Sequence, residues 1–309
     1  MSLFVEQHAT PSAFSSAPWV ILTPIEQRIK EKIEAVGTPL KDWDIQINYG
    51  IKTGYNEAFI ISTEKRDEIL SNCQTEDERQ RTEALIRPIL RGRDIRRYGY
   101  DWAGLWLIAT FPSRQYDINL YPSLKSYLLS YGMERLEQTG KTHIFNGERI
   151  KARKKTNNKW FETQDSISYW EDFSKPKIVW GEISDRSKFA YEPRGEYMTE
   201  ATTFLMVGTH LPYLFCILNS PLSEWFFSKV GTTTGVGTVR WKKFTIQELL
   251  IPRISESEEH VFSSLVQRLI AREVSINEFS CEVNSLVYAL VGLSSSEINY
   301  IQEYCMSLN

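Results

Sequence analysis

The sequence predicts an α+β fold: a mixed, strongly twisted sheet with flanking helices, followed by a small C-terminal helical module. Three observations carry that expectation. Short apolar or alternating runs of strand length recur between Ile45 and Val207. Helical periodicity appears before Gly37, over residues 64–86 and after Tyr213. Beyond Pro252 the apolar residues recur at helical spacing only.

In chain order, Thr23-Pro24-Ile25-Glu26 has the form of a capping box with proline at the first helical position. Ile25, Ile29, Ile33 and Val36 follow at helical spacing until Gly37 and Pro39 stop the run. Ile45-Gln46-Ile47-Asn48-Tyr49 alternates and Ala58-Phe59-Ile60-Ile61 is continuously apolar, so both read as strands around a turn at 52–56. Residues 64–86 read as polar helix. Further strands are expected at 105–109, 177–180 and 203–207, then two short helices, 213–219 and 222–230, around Pro221. In the tail, Ser255 with Glu258 opens a helix through Val261, Phe262, Leu265 and Leu269. Phe279, Val283, Leu286, Val287 and Leu290 repeat the pattern, Gly292 stops it, and Ser294 with Glu297 opens a third helix. No internal repeat of fixed period is present.

Composition bounds the function. A chain of 309 residues can bury one large core, or a medium core with a helical appendix. The sequence has no apolar stretch of about 20 residues and no secretory leader, which points to a cytoplasmic protein with no membrane partner. Cys73, Cys216, Cys281 and Cys305 lie far apart without CxxC spacing and read as reduced thiols. Net charge is −3, but from Ser255 onward eight glutamates face two arginines, so the tail carries −6 and the rest +3. Such asymmetry suggests a basic working surface and a separate acidic segment.

Catalytic patterns are missing. No two prolines are adjacent, which excludes the [D/N/S]-P-P-aromatic element that holds a flipped base. No acidic residue stands two positions before a lysine, as common metal-dependent nucleases require. His8, His143, His210 and His260 are too dispersed for zinc. Gly235-Val236-Gly237 lacks the helix and acidic partner of a nucleotide loop. Glu171, Asp172, Glu182 and Asp185 read as solvated loop carboxylates, against a hydrolytic pair as the alternative. The expectation is a chain with no catalytic residue, no metal and no cofactor.

Basic clusters are present. Arg87, Arg91, Arg93, Arg96 and Arg97 occupy one short segment, and guanidinium forks suit phosphates and guanine edges. Arg149, Lys151, Arg153, Lys154 and Lys155 run into Thr156-Asn157-Asn158-Lys159-Trp160, which looks like a backbone-tracking loop. A third element spans 232–243, with Arg240, Lys242 and Lys243 beyond small and hydroxyl residues. For the first cluster the alternative is an ion-paired face, and for the third a loop with Trp241 packed into the core.

Several of these segments resemble a known family. Ile51-Lys52-Thr53-Gly54-Tyr55-Asn56-Glu57-Ala58-Phe59 is similar to the TGxNxAF signature of the TaqI-like C-terminal specificity domain. That domain belongs to adenine-specific DNA methyltransferases and fused type IIG restriction–modification enzymes. Arg87-Pro88 through Tyr98 resembles its RPxLRGxDIxRY element. Lys154-Lys155 to Trp160-Phe161, Lys175 to Trp180, Tyr213 to Ser220, Ile251-Pro252 and the tail helices follow in the family's order. The resemblance implies sequence-specific recognition of double-stranded DNA for a methyltransferase domain of the same polypeptide. That parent would use S-adenosylmethionine, and Mg if fused to a nuclease. It further implies a flexible leader at 1–18, a connecting helix at 19–40, a target-recognition domain at 41–254 and a helical module at 255–309. The candidate DNA contacts are Lys52, Thr53, Arg87, Arg91, Arg93, Arg96, Arg97, Arg153, Lys154, Lys155, Trp160, Arg240, Lys242 and Lys243. The competing reading is a protein-interaction module whose arginine-rich loops pair with acidic partners.

Overall fold

The chain folds into two units and passes between them four times, after Gln46, Gly181, Phe189 and Val207. The computed structural model describes residues 22–145, 147–230, 232–233 and 239–308. The expected leader and the Gly235-Val236-Gly237 stretch lie outside the described residues. The architecture is α+β, as expected from the sequence. Among the described residues no helix is long and apolar enough to cross a membrane.

The helical unit comprises residues 1–46, 182–189 and 208–309. Its first helix, Pro24–Val36, starts where the sequence places it, with Thr23 and Glu26 capping each other. The Glu26 carboxylate also accepts from Lys229 Nζ at 2.5 Å and Tyr300 Oη at 2.9 Å. Burial works to raise this carboxyl, but Lys229 and the Thr23 N–H outweigh it and hold it below the usual carboxylate range. One side chain thus caps a helix and ties it to two other helices. The helix leads into strand Gly37–Pro39, which pairs antiparallel with Leu250–Pro252.

Residues 208–254 group with the tail helices, although the sequence suggested that they belong with 41–207. Helix Leu211–Leu218 buries every residue except Pro212, so it needs cover on all sides. Tyr213 packs on Phe262 and Phe215 on Phe279, both from the tail. The tail helices Glu256–Ile270, Ile276–Val291 and Ser295–Ser307 each begin with a Ser/Glu capping box, worth about 1 kcal/mol apiece.

The sheet unit comprises Ile47–Gly181 and Ala190–Val207. One four-stranded sheet orders Met198–Thr199, Ile86–Leu90, Leu105–Ile108 and Ile60–Ser62, with the first pair parallel and the others antiparallel. A second orders Phe189–Glu192, Lys177–Gly181, Thr203–Gly208 and Ile45–Tyr49. The polar run 64–86 forms two helices, Thr63–Ser71 and Glu76–Leu85, each with a Ser or Thr cap. The strand expected at 58–61 is corrected. Asn56–Phe59 makes one helical turn and only Ile60–Ser62 is strand, because the backbone reverses at Gly54 and Phe59 N–H reaches back to Tyr55 O. Two elements carried no clear sequence signal: helix Pro122–Leu129 and the hairpin Thr142–Phe145 with Glu148–Lys151.

Candidate nucleic-acid interface

The site grows from the Thr53-Gly54-Tyr55-Asn56 turn of the sheet unit. Thr53 Oγ1 donates to Asn56 Oδ1 at 2.6 Å and accepts from Tyr55 N at 3.1 Å. Gly54 sits at φ +79°, and a Cβ there would lie 2.8 Å from Gln164 Oε1 and 3.1 Å from Arg153 Cδ. Both the conformation and the close approach therefore demand glycine. Thr53 is fully buried, which corrects its candidacy as a DNA contact: its hydroxyl holds the turn. Lys52 beside it is exposed, while its carbonyl accepts from Gln164 N and Asp165 N.

Arg153 is also corrected. It is 4% exposed, and its guanidinium donates to four carbonyls: Leu136 at 2.8 Å, Thr53 at 2.9 Å, Glu162 at 2.7 Å and Trp160 at 2.5 Å. Burial pushes it down to about 10, still charged at neutral pH. Its plane lies 4.9 Å from the Phe59 ring. A fork with five donors suits this junction of four backbone segments, which a lysine could not satisfy. Trp160 is half-buried, edge-on to Phe161 at 5.5 Å, with its carbonyl taken by Arg153. It packs against the core rather than standing as an open stacking platform.

The loop after Arg153 is pinned from inside. Gln138 Nε2 donates to Lys159 O and Glu162 O, Thr156 Oγ1 donates to Gln138 Oε1, and Asn158 Nδ2 donates to Gln164 O. Lys154 and Lys155 are exposed on this fixed loop, and neither forms an ion pair among the described residues. Lys154 lines a cleft of about 450 Å³ together with Gly54, Tyr55, Arg135, Arg149 and Lys151. No carboxylate lines it. Arg149 and Lys151 project from strand Glu148–Lys151, and Arg135 from the turn Met133–Leu136, where its Nη1 donates to Tyr55 Oη at 3.3 Å. The sequence reading missed Arg135, which stands alone in the chain and enters the cleft only through the hairpin. Arg149 and Lys151 belong to the basic run that the sequence showed, but nothing there announced a strand.

The arginine-rich segment behaves differently. Arg91 caps the turn Gly92–Asp94 and makes a two-pronged pair with Asp94, at 3.0 Å from Nε and 2.8 Å from Nη2. Burial works to raise the Asp94 carboxyl, yet Arg91 and the Arg91 N–H hold it below the usual range. Arg96 donates to Arg93 O at 2.6 Å and pairs with Asp101 at 3.0 Å. Arg97 lies 5.4 Å over the Tyr98 ring. Arg93 is exposed, with no ion pair among the described residues. Arg87 lies on strand Ile86–Leu90 and lines another cavity. The candidates of the sheet unit therefore do not form one patch.

In the helical unit, Arg240 lies 3.6 Å from Glu182, and Lys242 Nζ lies 5.7 Å over the exposed Phe244 ring. Lys243, half-buried, begins the turn Lys243–Ile246. Trp241 is buried and stacks on Phe227 at 4.0 Å, so the core alternative holds for that residue. Of the carboxylates considered for hydrolysis, Asp185 pairs with Lys188 at 2.7 Å, and Asp172 with Lys175 at 2.7 Å. Among the described residues no group of three His, Cys, Asp or Glu is placed to hold a metal ion.

Comparison with known proteins agrees with these motifs. The chain is 23% identical over 284 residues to the type II methyltransferase M.PaeR7I of Pseudomonas aeruginosa, covering 91% of this chain and 44% of that protein. It thus spans less than half the length of that relative. The solved structure of the type IIL restriction–modification enzyme MmeI in complex with DNA superposes with a TM-score of 0.57 at 12% identity, over 88% of this chain and 36% of that one. The type IIG restriction endonuclease BpuSI gives a TM-score of 0.47 at 13% identity, over 87% and 33%. The model of the TaqI-like C-terminal specificity domain matches residues 87–251, more than half of the sequence, and the chain belongs to that family.

Proposed function

We propose that this chain recognises double-stranded DNA sequence-specifically, as the specificity domain of an adenine-specific methyltransferase fused to an endonuclease, and performs no chemical step itself. The observation that carries the reading is the acid-free cleft of the sheet unit, with Arg135, Arg149, Lys151 and Lys154 around it and Lys155 exposed on the same loop. Solvated cations without carboxylate partners are what a phosphate backbone needs, since binding then releases counterions without first breaking ion pairs. On this reading the fixed loop sets register, and exposed polar groups near it, such as Asn157, read base edges. S-adenosylmethionine and Mg would be held by other domains of the parent, since the described residues offer no cluster of three His, Cys, Asp or Glu side chains for a metal ion.

The test is titration of the chain with duplex DNA at several salt concentrations. Four to five phosphate contacts predict a log–log slope of about −4. Binding that is absent at low salt, or indifferent to salt, would overturn the reading and favour an interaction module.

A further inference from the structure

A second cavity in the sheet unit, of about 290 Å³, has a different character. Its floor is apolar: Leu85, Ala109, Phe111 and Met198 are all buried. Tyr116 and Tyr121 form one wall, edge to face at 6.3 Å, and Trp170 another. Arg81, Arg87 and Arg114 also line it, and no carboxylate does.

These three arginines contact backbone carbonyls and a ring. Arg81 donates to Leu120 O at 3.3 Å, Arg87 to Glu196 O at 3.4 Å, and Arg114 lies flat on Trp170 at 4.0 Å. None has a carboxylate within ion-pair distance among the described residues, whereas Arg66, Arg91 and Arg96 each do. Acids close in sequence are engaged elsewhere, Glu83 with Arg66 and Asp117 with Asn119. Glu196 gives Arg87 only its backbone carbonyl and holds its carboxylate 3.8 Å from Arg194, so an anion among the three guanidinium groups would supply a charge partner that none of them has within ion-pair distance among the described residues.

We infer that this cavity binds one nucleotide, its phosphate on the guanidinium groups of Arg87 and Arg114 and its base against the apolar floor and the tyrosine wall. Size selects the class. A cavity this small admits no duplex, so duplex phosphates reach only its rim. Inorganic phosphate alone would leave the apolar floor wet, while a base covers it and stacks on aromatic rings. The nucleotide is either free or the unpaired end of a DNA strand. The inference stands independently of the phosphate cleft around Lys151 and Lys154.

Calorimetric titration of the full chain with dAMP, deoxyadenosine and inorganic phosphate tests it. The expected result is dAMP binding about tenfold tighter than either fragment. That preference should fall about tenfold in Arg114→Gln and in Arg87→Gln, and persist in Lys151→Gln/Lys154→Gln. Melting temperatures of the exposed Arg114→Gln protein control for folding. A duplex with a one-nucleotide overhang that displaces dAMP where a blunt duplex does not identifies a DNA end as the source; displacement by neither identifies free nucleotide. The inference is overturned if dAMP fails to bind at millimolar concentration, binds no tighter than phosphate, ignores both arginine substitutions, or is displaced equally by blunt duplex.

Discussion

Two basic segments of the sheet unit, 87–97 and 149–160, carry similar charge and put it to opposite uses. In the first, Arg91 and Arg96 are committed to Asp94 and Asp101, so the charge shapes a turn and a short hairpin. In the second, one arginine is buried as a four-carbonyl junction, Arg149, Lys151 and Lys154 line an acid-free cleft, and Lys159 pairs with Glu162. The difference lies in what stands within a few residues. An aspartate three positions on captures an arginine locally, and free carbonyls at a chain crossing capture one through its several donors. Lys154 and Lys155 have no such partner among the described residues and stay in water. Cations without an ion pair therefore mark the working surface of this unit better than arginine density does.

The contrast breaks most sharply at Arg153. Arg153→Met should destabilise the protein by about 3–5 kcal/mol, because four buried carbonyls lose their donor. Arg153→Lys should rescue little of it. Urea denaturation measures both, and wild-type stability combined with weakened DNA binding would return Arg153 to the list of contacts.

Replacing Arg149, Lys151 and Lys154 together with glutamine should have the converse signature. The salt slope of DNA binding should shrink by about three, with affinity down roughly a hundredfold. Stability should move by no more than about 0.5 kcal/mol, since these side chains are exposed and form no ion pair among the described residues. An unchanged slope would place the DNA elsewhere on the molecule.

Asp94→Asn should cost about 1–3 kcal/mol by leaving Arg91 half-satisfied. The Asp94 carboxyl is held below its ordinary value in the folded state. Its contribution is therefore complete above the unfolded carboxylate pKa of about 3.9, and is lost as pH falls through the lower folded value. Acid titrations of stability should show that limb in the wild type and lose it in the variant.

Much of the fold was legible because its signals are local. The boxes at Thr23/Glu26, Ser255/Glu258 and Ser294/Glu297 each lie within four residues, and all three open helices where expected. What stayed hidden depends on distant partners. Nothing near Arg153 announces Leu136 O or Thr53 O, and Arg135 joins the cleft only through the hairpin at 142–151. The family motif was legible, but Thr53 and Gly54 proved to be the lock of a turn. A recurring motif can thus report architecture rather than contact. The grouping of residues 208–254 with the tail was likewise out of reach, since it rests on contacts between distant positions such as Tyr213 with Phe262 and Phe215 with Phe279.

The finest test of the contrast is Arg93. It alone among the four arginines from Arg91 to Arg97 is exposed with neither an ion pair among the described residues nor a ring beneath it, while its carbonyl merely accepts from Arg96. If exposure without an ion pair is what makes a cation available to phosphate, Arg93→Gln should lower the salt slope by about one. Stability should stay within about 0.5 kcal/mol of wild type. The loss should be the same for every duplex sequence tried, because a phosphate contact carries no base information. A loss confined to one sequence would make Arg93 a base reader. No loss would leave Arg91 to Arg97 structural and the cleft around Lys151 and Lys154 as the charge that meets DNA.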